Sequence, residues 1–267
     1  MNSQYLDRYQ YFLEDGNFKV VPGIELPIKS TDKYIQFKKN KDRLDKMSQE
    51  YYDTPLFGWL ILQANPTAGG VELVRWAKQR GIQVTAEVTP HHLLLTDDLV
   101  ENYDPIYKVN PPLRTQKDVM ALREGLAEGV IDIVATDHAP HPAEDKDCEW
   151  QAAAFGMVGL ETSLSVVIKT MIESKLMSWS DLVDRMSVKP AQIAGYEKQG
   201  QTISKSSPAN LILVDPTATW QVERNKLKSK SKNTPFDQMK LPGVISDVIY
   251  NGNLVVSSGK LVNGNNE

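Results

Sequence analysis

The chain has 267 residues, 41% of them hydrophobic and 24% charged, with a net charge of −4, so it can bury a sizeable core and has an ordinary soluble composition. A pI near 5.7 speaks against a nucleic-acid or anionic-membrane partner, and the single cysteine, Cys148, excludes an internal disulfide and fits a reducing compartment. No apolar run approaches the roughly 20 residues of a membrane span, and the N-terminus has no basic stretch followed by an apolar one, so a cytoplasmic protein without a membrane partner is expected.

Residues 1–63 read as a divergent N-terminal segment. Asp15-Gly16 favours a hairpin turn, Pro22 and Pro27 argue against an interior strand over 20–28, and the charge-rich 29–50 reads as a solvated helix or loop. Tyr51, Tyr52, Phe57 and Trp59 lead into a short apolar run, 60–62, with strand character. From Thr67 the pattern becomes regular. A helix is predicted over 71–78 with Val71, Leu73 and Val74 inward and Gly81 as its stop. Alternation over 82–88 predicts a strand that ends in Thr89-Pro90-His91-His92. Asp97-Asp98 opens another short helix, and Asn110-Pro111-Pro112 forces an extended loop. Thr115 or Gln116 opens a helix over 117–128, with Gly129 as its stop.

Residues 131–141 read I-D-I-V-A-T-D-H-A-P-H: a buried parallel strand, then a polar cluster. A loop through 142–146 follows, then a small, glycine-bearing stretch over 152–159 suited to close backbone approach. A long amphipathic helix is predicted over 160–177 and a second over 181–186. Strand ends and helices alternate across 64–200, the mark of a parallel α/β barrel or sheet. Residues 201–267 differ: short β runs at 209–214, 244–249 and 253–256, parted by Asn251-Gly252, a strong two-residue hairpin signal, and by Ser258-Gly259. They read as a small β unit packed on the α/β body.

All four histidines, His91, His92, His138 and His141, fall at two predicted strand ends. A structural, hydrogen-bonded imidazole is the favoured reading for His91 and for His92 taken singly. Asp137, His138 and His141 together read as a site, because a carboxylate beside imidazoles at a strand end can bind a divalent metal or accept a proton. The Asn110 amide can hold a substrate carboxylate or carbonyl, or cap its own loop. Arg114 fits a surface salt bridge better than an anion site. Cys148, between Asp147 and Glu149, is not expected to be a nucleophile.

Five segments carry a family resemblance: E-V-T-P-H-H-L-L-L from Glu87, Y-K-V-N-P-P-L-R from Tyr107, A-T-D-H-A-P-H from Ala135, F-G-M-V-G-L-E-T from Phe155 and S-K-S-K-N-T-P-F from Ser229. In this order they resemble dihydroorotase, a cyclic amidohydrolase of the metal-dependent superfamily, over about its C-terminal two thirds. The resemblance implies an α/β fold, an incomplete (β/α) barrel of the metal-dependent hydrolase type with a small β-sandwich unit. It implies interconversion of dihydroorotate and N-carbamoyl-aspartate in pyrimidine biosynthesis, with a binuclear zinc cofactor. Matched by motif, Asp137 is implied as metal ligand and catalytic base. Asn110, His141 and the backbone of Phe155 and Gly156 are implied as substrate contacts, with Glu87 and His91 as support around the metals.

The resemblance has gaps. No histidine precedes His91, Ala64 stands where a metal-binding histidine is expected, and no bridging lysine or aspartate can be placed. The N-terminal metal-binding part is therefore expected to be missing or altered, and turnover by this chain alone impaired. The alternative is a catalytically dead dihydroorotase-like subunit that scaffolds aspartate transcarbamoylase; a homo-oligomer is also open. A hydantoinase-like enzyme is a third reading, against which Asn110 and His141 speak.

Overall fold

The structure is a computed structural model that describes residues 13–14, 17–18, 70–196 and 199–262. The chain divides into two units, Met1–Trp76 and Ala77–Glu267. In the first, β1 (Leu13–Glu14) and β2 (Asn17–Phe18) pair antiparallel, Leu13 with Phe18 and Glu14 with Asn17, the register a turn at Asp15-Gly16 would set. The turn itself, the 60–62 run and Ala64 lie outside the described residues.

Helix α1 (Gly70–Gln79) ends as its sequence predicts. Gly81 takes φ 72°, its N–H donates to the Lys78 carbonyl at 2.9 Å, and the Ile82 N–H donates to the Ala77 carbonyl at 3.1 Å, the paired bonds of a Schellman stop. Its buried side chain is Trp76, however, and Val71, Leu73 and Val74 are only half-buried.

In the second unit, β3 (Glu87–Val88) and β4 (Ile133–Val134) form a parallel pair, with Glu87 opposite Ile133 and Val88 opposite Val134. Both are shorter than the runs that predict them. Residues 82–86 have strand-like alternation, but Ile82 and Val84 are exposed, and among the described residues nothing extends their ladder. A strand needs a partner as well as a pattern. Between the two strands lies α3 (Gln116–Ala127), opened by a reciprocal capping box in which the Thr115 hydroxyl and the Asp118 carboxylate each bond the other's backbone N–H. Asp132 fastens the base of this unit, accepting from Lys78 at 2.6 Å and from the Ala86 N–H at 2.8 Å.

Thr89-Pro90-His91-His92 follows directly on β3, and Thr89 caps a short helix there, α2 (Pro90–Leu94), whose Pro90 sits where a missing N–H costs nothing. Two local expectations are corrected. The loop after Pro142 contains one helical turn, α4 (Ala143–Lys146). The helices predicted over 160–177 and 181–186 are segmented. They appear as α5 (Ser163–Val167) running into a π turn (Ile168–Ile172), then α6 (Trp179–Val183), a second π turn (Asp184–Val188) and α7 (Lys189–Ala194). Pro190 has no N–H to offer the carbonyl of Met186, so the backbone there widens to an i+5 bond from Lys189 to Asp184.

The C-terminal part is one four-stranded antiparallel sheet in chain order, β5 (Leu211–Gln221), β6 (Lys240–Tyr250), β7 (Asn253–Ser257) and β8 (Lys260–Leu261). Asn251 and Gly252 have φ 49° and 80°, and Ser258 and Gly259 have 50° and 73°, the two consecutive positive values of tight hairpin turns. Among the described residues neither a second facing sheet nor a closed barrel is present. Helix α5 and its π turn take the face that a second sheet would cover. Ser165 Oγ donates to the Gly243 carbonyl at 3.2 Å, and the Trp220 indole donates to Ser165 Oγ at 2.9 Å. A Cβ at Gly243 would stand 2.4 Å from Ile168 Cδ1. One apolar cluster, including Leu95, Val109, Met157, Val166, Phe236 and Leu241, joins the helical part to the sheet. No described helix is long and apolar enough to cross a membrane.

Candidate active site

The polar residues converge on the loops that follow β3 and β4. Asp137 is exposed and takes φ 45°, a left-handed conformation that aspartate visits more readily than most residues and that still costs free energy. Its negative charge reaches His92 and favours the protonated imidazole there, as do the Pro111 and Pro112 carbonyls, but burial outweighs them and holds the His92 pKa below the usual histidine value.

Hydrogen bonds assign the tautomers. His92 Nε2 faces the Pro111 carbonyl at 2.9 Å, which can only accept, so Nε2 carries the proton; Nδ1 then accepts from the Thr89 hydroxyl at 2.6 Å. His141 Nε2 lies 2.9 Å from the Phe155 carbonyl and is a donor by the same reasoning. His138 is the reverse case. Its Nδ1 receives the backbone N–H groups of Gly159 at 3.1 Å and Leu160 at 3.3 Å, so that lone pair is used inside the fold. His138 thus ties its loop to 159–160 through Nδ1, its backbone bridges to Met157, and Nε2 is the ring nitrogen left for any role beside Asp137 and His141.

His91 is buried, and its Nε2 is without a hydrogen-bond partner among the described residues. Burial, with a smaller contribution from His92, pushes its pKa down to about 3, so the ring is neutral at ordinary pH. Glu87 is exposed.

His141, Phe155 and Gly156 form a contiguous wall. A Cβ on Gly156, which has φ 123°, would lie 2.5 Å from Ala139 Cβ and 3.3 Å from His141 Nε2, so only glycine lets these segments approach. The Gly156 N–H is spent on the Lys108 carbonyl at 2.9 Å. The Phe155 and Gly156 carbonyls each accept one bond, from His141 and from Asn233, and a carbonyl oxygen has a second lone pair. Asn110 is exposed two residues beyond Lys108, before a cis bond to Pro111.

Two buried lysines frame this wall, and neither stands out in the sequence. Lys108 Nζ donates to the carbonyls of Trp150, Gln151 and Ala153, between 2.6 and 3.2 Å, and lies 4.4 Å from the Phe155 ring centroid. Lys146 Nζ donates to the Lys108 and Ala154 carbonyls at 2.9 and 3.0 Å. Burial, then the neighbouring Lys108 charge, lowers its pKa to about 8. Lys146 sits in the run Glu144-Asp145-Lys146-Asp147, which reads as solvated surface. Ser231 and Asn233 carry no local pattern either, although they lie in a quoted motif.

The metal pair implied by the resemblance does not fit what is described. No group of three or more His, Cys, Asp or Glu side chains among the described residues is arranged to hold a metal ion. Asp137 offers a carboxylate and His91 an unpartnered ring nitrogen, short of the three or four protein ligands of tight sites. Arg114 lies 3.8 Å from Asp118 in an exposed pair, and Cys148 Sγ contacts the Asp145 carbonyl.

Residues 66–255 match the Amidohydrolase family. The chain is 60% identical over 195 residues to a dihydroorotase of Streptomyces coelicolor, covering 73% of this chain and 46% of that protein. It is 50% identical over 194 residues to a dihydroorotase of Mycobacterium tuberculosis, covering 73% and 45%. Among solved structures, an L-hydantoinase (dihydropyrimidinase) from Arthrobacter aurescens superposes with a TM-score of 0.68 at 30% identity, over 82% of this chain and 55% of its own. The chain thus spans a little under half the length of the curated relatives it matches. The family match alone extends over more than half of the chain, which belongs to the amidohydrolase family.

Proposed function

We propose that this chain carries the substrate-binding wall and the proton-transfer carboxylate of a dihydroorotase-type cyclic amidohydrolase, which opens and closes the ring amide of dihydroorotate. The observation that carries the reading is the joining of His141, Phe155 and Gly156 into one wall, in the loop that also bears Asp137. The curated relatives named dihydroorotase support the substrate.

In this reading the exposed Asn110 amide meets the substrate carboxylate or a ring carbonyl, and the spare lone pairs of the Phe155 and Gly156 carbonyls accept ring N–H groups. Asp137 takes the proton of the attacking water and hands it to the departing ring nitrogen, general base and then general acid on one carboxylate. Three further parts belong to the proposal: zinc as the metal that the family resemblance implies, a barrel-type hydrolase architecture with 201–267 as its β unit, and a cytoplasmic setting. Association with another copy or with an aspartate transcarbamoylase is checked by size-exclusion chromatography with and without that partner.

The test measures interconversion of dihydroorotate and N-carbamoyl-aspartate by the purified chain with zinc supplied. Turnover that Asp137→Asn abolishes supports the reading. Absence of both turnover and binding of either compound overturns it.

A further inference from the structure

The wall has a keystone that the chemistry above leaves unused. Asn233 is 6% exposed and joins three segments far apart in sequence. Its Nδ2 donates to the Ala139 carbonyl at 3.0 Å and to the Gly156 carbonyl at 3.3 Å. Its Oδ1 accepts from the Ser231 hydroxyl and, at 3.5 Å, from the His141 N–H, which is shared with Ser231 Oγ at 3.2 Å. Its own carbonyl accepts from the Val158 N–H at 3.1 Å. Both ends of the amide are thereby used in the orientation only asparagine allows: donors toward two carbonyls, acceptor toward an N–H and a hydroxyl.

The loop that presents Asn233 is itself braced. The Glu161 carboxylate receives the N–H groups of Lys228 at 2.8 and 2.9 Å and of Ser229 at 3.1 Å. Lys232 Nζ ties back to the carbonyls of Leu227 and Ser229 at 2.7 and 2.9 Å. A loop held this way delivers a preset amide to the site, and support of this kind fixes binding groups to within a fraction of an ångström.

We propose that Asn233 is the positioning residue of the substrate wall: it sets the spacing between the His141 and Gly156 segments and so determines affinity for the cyclic amide. This rests on the function proposed above for what the wall binds, though not for the positioning itself. Substrate and transition state use the same wall, so loosening it weakens both alike, and the loss falls on KM with kcat nearly unchanged.

The chain has only four histidines, so the imidazole proton signals of the full protein can be assigned by single substitutions and followed by NMR. In Asn233→Ala the His141 signal is expected to move while those of His91 and His92 stay. KM for dihydroorotate is expected to rise about tenfold, with kcat within about threefold. Ser231→Ala, which removes the hydroxyl whose one proton is shared between the Asn233 oxygen and the His141 carbonyl, is expected to move the same signal by less. It decides the matter if Asn233→Ala does not fold. An unmoved His141 in the folded variants overturns the proposal, and so does a common shift of all four signals with KM and kcat falling together. Absence of turnover in the unsubstituted chain counts against the proposed function, while the NMR arm still decides the role of Asn233.

Discussion

His92 Nε2 donates to the carbonyl of Pro111 at 2.9 Å, tying the helix after β3 to the loop that carries Asn110. His92→Ala removes this bond and the one to Thr89. Net hydrogen-bond contributions are about 0.5–1.5 kcal/mol each, so the expected loss is about 1–3 kcal/mol by urea denaturation. Amide exchange at Asn110 is expected to quicken more than that at Val119, inside α3. Equal change at both positions would show that the bond does not anchor the loop.

His91 gives the protein an acid sensitivity whose sign is set by burial. The folded ring protonates only near pH 3, below the usual 6.5, because burial disfavours the charged form. Between those values the unfolded chain takes up a proton that the folded chain refuses, so stability falls as pH drops below 6.5. The slope is about 1 kcal/mol per pH unit, and His92, shifted in the same direction, adds to it. His91→Phe is expected to hold stability at pH 7, since Nε2 has no partner to lose, and to flatten the acid limb of a denaturation series between pH 6.5 and 4. An unchanged limb would place the acid sensitivity elsewhere.

Asp137 trades stability for its place in the site. At φ 45° glycine adopts the conformation without a Cβ penalty, so Asp137→Gly is expected to gain up to about 1 kcal/mol while losing all turnover. Calorimetry and the dihydroorotate assay on one preparation check both halves. A less stable Asp137→Gly would mean that the carboxylate holds the loop together.

Two glycines with positive φ separate strain from crowding. Gly252 at φ 80° has open space around it, whereas Gly156 at φ 123° faces Ala139 and His141. Gly252→Ala is expected to cost about 1 kcal/mol, the conformational penalty alone. Gly156→Ala adds overpacking of about 1–3 kcal/mol and displaces His141, which lowers substrate affinity. Equal melting temperatures for the two variants would show that the wall yields freely.

Local sequence chemistry accounts for the features decided within a few residues. The Gly81 stop, the Thr115–Asp118 capping box and the Asn251-Gly252 turn follow from backbone conformations that few residue types satisfy. The strand pairing beyond Val88 and the segmentation of the 163–194 helices were not legible, because ladder partners and π turns depend on distant or competing bonds. Of the expected C-terminal sandwich one sheet lies among the described residues: alternation shows that one face is buried without naming the covering element, and α5 packs there.

The site divides along the same line. Its residue types and their attachment to strand-end loops could be read directly, since a carboxylate, an amide and imidazoles beside prolines and glycines are visible in one dimension. The direction of each lone pair could not. His138 spends its Nδ1 on Gly159 and Leu160, and Lys146 is buried within an acidic run. Asn233 lies 77 to 94 residues from the carbonyls and N–H it joins. Hydrogen-bond partners far apart in sequence are chosen by the packed fold, and only tertiary structure decides which polar groups are spent holding the protein and which remain for a ligand.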